Sequence, residues 1–241
     1  MSGTSLSAGE KASKSRASSN KNSRKNSKTG LPCFSDPKSL VTFIVGPDPD
    51  PVEFLVHKEI ICHHSKVFKA AFNGTFLEGQ TQTYRLQDTT QGAFRLLTQW
   101  IYFQKLNIPQ IPPGSVVDED DEALAGEGEA ALAELYVLAD KFAMAPLQNA
   151  VIDEIENIGL VTRNIPVDIF NYIYENTSPG SALRRYVVLI ATSFELGPEI
   201  SESNHPYEMT IEMCREFISQ RASKRIKKIK ISDFYVKLDD E

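Results

Sequence analysis

The residues best equipped for chemistry crowd into one stretch, FLVHKEIICHHSKVFKAAF, from Phe54 to Phe72. It holds His57, Cys62, His63 and His64, three of the four histidines and one of the three cysteines. Imidazole and thiolate are zinc ligands, and a zinc site needs three or four ligands converging on one point. On a helix only residues three or four apart share a face. The positions facing His57 are Ile60 and Ile61, those facing Cys62 are Ser65 and Lys66, and those facing His63 are Lys66 and Val67. His63 and His64 are neighbours that point about 100° apart if helical. Cys33, His205 and Cys214 lie elsewhere, without a CxxC or HxxxH partner. The spacing therefore predicts no metal centre.

Nucleophilic catalysis is the other chemistry to weigh. Ser65 or Cys62 beside a histidine would need a base in hydrogen-bond reach and a third group to orient it, which nearness in sequence does not supply. No GxSxG, GxxxxGKS or GxGxxG occurs, and the glycines at 74, 79, 92 and 114 stand singly. The reading is a non-enzyme with no catalytic residue and no cofactor.

The elements that would position these residues need a core, and 41% hydrophobic residues in a chain of 241 supply one. The net charge of −6 is spread unevenly. Before residue 30 the chain is Ser/Lys/Asn-rich, with Glu10 its one acid, so the remainder is more acidic than the total. Residues 1–35 hold almost no large apolar side chains and are expected to form a disordered basic tail. Such a tail neutralises phosphates without reading sequence, and so would RASKRIKKIK at 221–230. Neither segment interleaves aromatic residues for base stacking, so nucleic acid is not the expected main partner. A solubilising tail, a nuclear-localisation-like patch, and attraction to an acidic loop are the alternatives.

Three cysteines far apart in sequence form no disulfide framework and fit a reducing compartment. No apolar run is long enough to span a membrane and no secretory apolar segment opens the chain, so cytoplasm or nucleus is expected.

Local patterning gives the elements. VTFIVG (41–46) and VEFLV (52–56), joined by the turn letters GPDPDP, read as a β-hairpin, and TYRLQD (83–88) as a third strand. Between them the pairs Val67/Ala71 and Phe68/Phe72 give one apolar helical face, with Ser65 as its cap and Asn73-Gly74 as its end. TTQGAFRLLTQWIYFQ (89–104) is apolar over much of its circumference and should be the central helix. The Pro-rich and acidic residues 107–130 read as a solvated insertion loop. Helices follow at 130–144, from Pro146, and at 167–177, 182–196 and 208–220, before a basic, irregular tail over 221–241.

The order strand, strand, His-Lys, two short helices, strand, central helix, helical pair resembles the BTB/POZ domain, particularly the form common in fungal proteins. VTFIVG, FLVHKEIICHHSKVFKAAFNGTFLEG (54–79), YRLQDTTQGAFRLLTQWIYFQKL (84–106) and LAELYVLADKFAMAPLQNAVID (132–153) carry it. The resemblance implies an α+β fold, a small three-stranded sheet packed on a helical cluster, over residues 36–157. A helical extension over 158–220 would follow. It implies a module without catalytic residues that acts by binding proteins: by self-association, with transcriptional co-regulators, or as an adaptor on the cullin-3 scaffold of ubiquitin ligases. It also gives structural roles to His57 and Lys58 at a strand-to-helix turn, with the imidazole bonding backbone. Ser65 would be the capping serine, Phe68 a core aromatic, and Trp100 and Tyr102 the aromatics of the central helix. Cys62, His63 and His64 are left as partner-facing candidates.

Three departures narrow this. Leu40 stands where transcription-factor members carry an Asp, and Asp36 comes too early to replace it. Residues 1–35 lack the strand and helix of domain-swapped dimers. Cullin-3 binders often carry a hydrophobic-x-Glu pattern in the central helix, whereas Ala93 to Trp100 contains Arg95 and no carboxylate, so the cullin-3 partner is unsupported.

Overall fold

A computed structural model describes residues 32–109, 114–116, 119–162, 167–193, 205–222 and 230–238. The basic residues 1–31, and residues 223–229 with Ile226 and Ile229, lie outside these.

Alternation at period two sets the sheet. β1 (Leu40–Val45) buries Val41, Phe43 and Val45 and turns Leu40, Thr42 and Ile44 to the other face. β2 (Val52–His57) pairs with it antiparallel, Leu40 opposite His57 and Val45 opposite Val52. The hairpin turns at Gly46, whose φ of +103° strains any L side chain. β3 (Thr83–Leu86) runs parallel to β1 on its other side, giving the order β2-β1-β3.

Helix α1 (Lys58–His64) and α2 (Lys66–Asn73) are broken at Ser65, which is extended. α2 turns Phe68 and Phe72 into the core, but Val67 is 37% exposed, so the apolar face read from the sequence is only half used. The reason is angular: Val67 sits about 100° round the helix from Phe68. A third short helix, α3 (Leu77–Thr81), was not anticipated and buries none of its residues. α4 (Gln91–Phe103) is the central helix, burying Ala93, Phe94, Leu97, Trp100 and Ile101.

The expected insertion loop over 107–130 is a loop only in part. α5 runs Glu119–Lys141, so the acidic stretch is the first half of a long helix. Ala, Leu and Glu are strong helix formers, and acidic side chains at a helix start meet the positive end of its dipole. Counting carboxylates as a sign of a loop overlooked both effects. α6 (Ala145–Thr162) follows with Pro146 in its first turn.

The extension holds α7 (Phe170–Asn176), α8 (Ala182–Ser193) and α9 (Tyr207–Ala222), with a 3-10 turn at Ile231–Phe234 near the end. One hydrophobic core runs through all of it. Phe43, Phe68, Phe94 and Phe142 near the sheet belong to the same cluster as Phe170, Leu183, Tyr186 and Met213 of the extension. The final segment is less of a tail than its composition suggests, because Ile231, Phe234 and Val236 pack against that core. The result is the expected α+β architecture with added C-terminal helices.

Candidate protein-interaction surface

The strand-to-helix corner is built by β2, α1 and the end of α4. His57 closes β2, and its backbone N–H donates to the Tyr102 hydroxyl at 3.0 Å while its Nδ1 stands 2.7 Å from the same oxygen. The imidazole therefore meets a side-chain hydroxyl, not backbone as the resemblance implied. The hydroxyl accepts from the backbone N–H and shares a second hydrogen bond with the ring nitrogen. Tyr102 is thus a clasp between the sheet and the central helix. Lys58 turns inward and donates to the Phe72 carbonyl at 2.9 Å, satisfying one of the orphan acceptors at the end of α2.

Ser65 is fully buried and works in both directions. Its hydroxyl accepts from the Phe68 N–H at 3.1 Å and donates to the Phe142 carbonyl at 2.7 Å. Phe68 stacks on Phe142 with ring centroids 4.0 Å apart, and Trp100 is 4% exposed. His57, Lys58, Ser65, Phe68, Trp100 and Tyr102 are thus all engaged within the fold.

Cys62, His63 and His64 differ in exposure, and the His63 and His64 rings meet edge-on with centroids 4.8 Å apart. Cys62 is half-buried, and burial pushes its thiol pKa up. His63 is exposed. His64 packs edge-on to Trp100 at 5.1 Å and lies 3.4 Å from the Gln104 amide. Burial first, then the neighbouring His63, holds the His64 pKa down at about 4. Among the described residues no group of His, Cys, Asp or Glu is arranged to hold a metal ion.

Leu40 lies opposite His57 in the β ladder, so the described corner pairs the imidazole with an aliphatic side chain instead of a carboxylate. Glu59 has a different use: its carboxylate accepts from the Cys33 and Ser35 backbone N–H groups at 2.8 and 2.7 Å. The Ser35 hydroxyl first, then these backbone bonds, hold its pKa down at about 2. Cys33 and Ser35 therefore sit in place, and the tail expected over residues 1–35 is anchored at its end. Phe34 between them stands edge-on to His57 at 5.3 Å.

The surface that sequence reasoning missed lies next door. Phe76 and Leu77, consecutive at the start of α3, are 74% and 69% exposed. Their presentation is fixed by two glycines: a Cβ at Gly79 would lie 2.1 Å from the Gly74 carbonyl oxygen, so only glycine closes this turn. Exposed Val67 adds to the apolar surface of α2, and Phe103 is 71% exposed at the α4 end that Gln104 ties to His64. Isolated exposed apolar residues are ordinary, but two consecutive large ones, at the N-cap and first residue of a helix with no buried residue, make a candidate contact surface. The only sequence signal was the glycine spacing in NGTFLEG, because exposure is set by the fold.

No helix among the described residues is long and apolar enough to cross a membrane. No curated protein matches the chain. Residues 41–158, from β1 to the last turn of α6, match the family model of the BTB/POZ domain. BTB/POZ domains are protein-interaction modules, with self-association among their uses. The hairpin, the parallel third strand, the Ser65 break between paired short helices and the central α4 agree with that match, and the chain belongs to the BTB/POZ domain family through residues 41–158.

Proposed function

We propose that this chain is a non-enzymatic, self-associating scaffold whose BTB/POZ domain joins copies through the α2–α3 surface. The observation that carries the reading is the exposed pair Phe76 and Leu77, the N-cap and first residue of a helix with no buried residue. Burying both side chains would contribute about 3 to 5 kcal/mol of transfer free energy per copy, enough to organise an interface. The three cysteines are free thiols, which supports work in a reducing setting, cytoplasm or nucleus. Arg95 in a central helix without carboxylate from Ala93 to Trp100 leaves the cullin-3 reading without a supporting feature.

The test is co-purification of two differently tagged copies from the same cells. The wild-type copies should recover each other, and the Phe76→Asp/Leu77→Asp variant should not. Equal recovery by a folded variant would remove this surface from the mechanism.

A further inference from the structure

The last described segment, residues 230–238, lies on the core through Ile231, Phe234 and Val236 and is also held by a set of polar anchors. None of its residues is buried. Besides that apolar contact it is fixed by discrete anchors on α6 and α8. The Asn149 side-chain amide grips the backbone of Val236 from both sides, accepting from its N–H at 2.7 Å and donating to its carbonyl at 3.1 Å. Asp153, one helical turn on, accepts from the Tyr235 hydroxyl. Phe234 stands edge-on to Tyr186 of α8 at 5.8 Å, with the Arg185 guanidinium 5.8 Å from its ring centre.

A bidentate amide on one residue's N–H and C=O reads an extended backbone whatever its side chain, which is how added strands and bound peptides are held. The remaining anchors read an aromatic, a tyrosine hydroxyl and an aliphatic residue in series. The charges agree in sign: Lys230 and Lys237 outnumber Asp233 in the segment, while α6 offers Asp153 and Glu156. Beside the segment a cleft of about 620 Å³ between α8 and α9 has Glu212 and Glu216 along with Arg185 and Arg215 on its walls. A surface segment with few buried contacts belongs to the part of a protein that opens most readily.

We propose that the α6–α8 face is a peptide-recognition groove, separate from the α2–α3 surface, whose resident ligand is the chain's own segment Lys230 to Leu238 held in cis. The partner it fits is an extended, basic-flanked segment of the pattern Ile-x-x-Phe-Tyr-Val, of which this segment is the cognate copy.

The experiment uses the full-length chain and a fluorescent peptide of residues 230–238. Phe234→Ala/Tyr235→Ala vacates the groove without shortening the chain, and circular dichroism reports whether it stays folded. The vacated chain should remain folded and bind the peptide saturably, and wild type should bind at least about tenfold more weakly because its own segment competes. Adding Asn149→Ala should abolish binding to the vacated chain, whereas Glu175→Gln, away from the groove, should leave it unchanged. Unfolding of the vacated chain would show the segment to be part of the core and overturn the proposal. So would a folded vacated chain that ignores the peptide, or one whose binding survives the loss of Asn149.

Discussion

The hydroxyl of Ser65 donates to the carbonyl of Phe142 at 2.7 Å, across 77 residues of chain. The same oxygen caps α2, so one side chain both starts a short helix and ties it to the end of α5. Ser65→Ala should cost about 2 to 3 kcal/mol, the sum of a lost cap and a buried carbonyl left unsatisfied. Urea denaturation should show the midpoint falling with the slope unchanged.

Tyr102 and His57 form the second tie. Tyr102→Phe removes the acceptor for the His57 N–H and the partner of its Nδ1, and should cost about 1 to 2 kcal/mol. His57→Ala should destabilise as well, and the double variant by less than the sum, because both changes break the same contact. Strict additivity in equilibrium unfolding would show the two side chains acting independently.

His64 makes stability depend on pH. Its pKa falls from 6.5 to about 4 on folding, chiefly through burial, so between those values the unfolded chain binds the proton more readily. Stability from this group is full above pH 6.5, is lost as pH drops through the window, and levels off below about 4. Thermal melts of His64→Gln should be flatter than wild type across that interval.

Much of the domain was legible in the sequence because its signals are local. Val41, Phe43 and Val45 alternate, Ser65 interrupts a helical pattern, and Ala93 to Ile101 is apolar nearly all round. The acidic start of α5 was missed because a charge run reads equally as solvated loop or exposed helix, and only packing of its second half decides. The site was less legible. The His57–Tyr102 and Ser65–Phe142 bonds span 45 and 77 residues, so His57, Tyr102 and Ser65 stood out singly while the pairing of the two ends did not. Apart from the glycine spacing, nothing in the sequence marks Phe76 and Leu77 as exposed, and their exposure accompanies a turn that Gly74 and Gly79 close.

That turn gives a further prediction. Gly79→Ala would place a Cβ 2.1 Å from the Gly74 carbonyl oxygen, against backbone that cannot give way cheaply. The change should cost about 1 to 3 kcal/mol and displace α3. Association between copies should weaken as much as in Phe76→Asp, although neither apolar side chain has been altered.

Sedimentation velocity on the purified full-length chain, across a concentration series, tests self-association through the α2–α3 surface most directly. Wild type should shift from monomer to dimer or larger species in the micromolar range, and Phe76→Asp/Leu77→Asp should stay monomeric with an unchanged melting curve, its affinity lowered by roughly a hundredfold or more. A wild-type chain that remains monomeric throughout the series, or a variant that associates as wild type does, would contradict it.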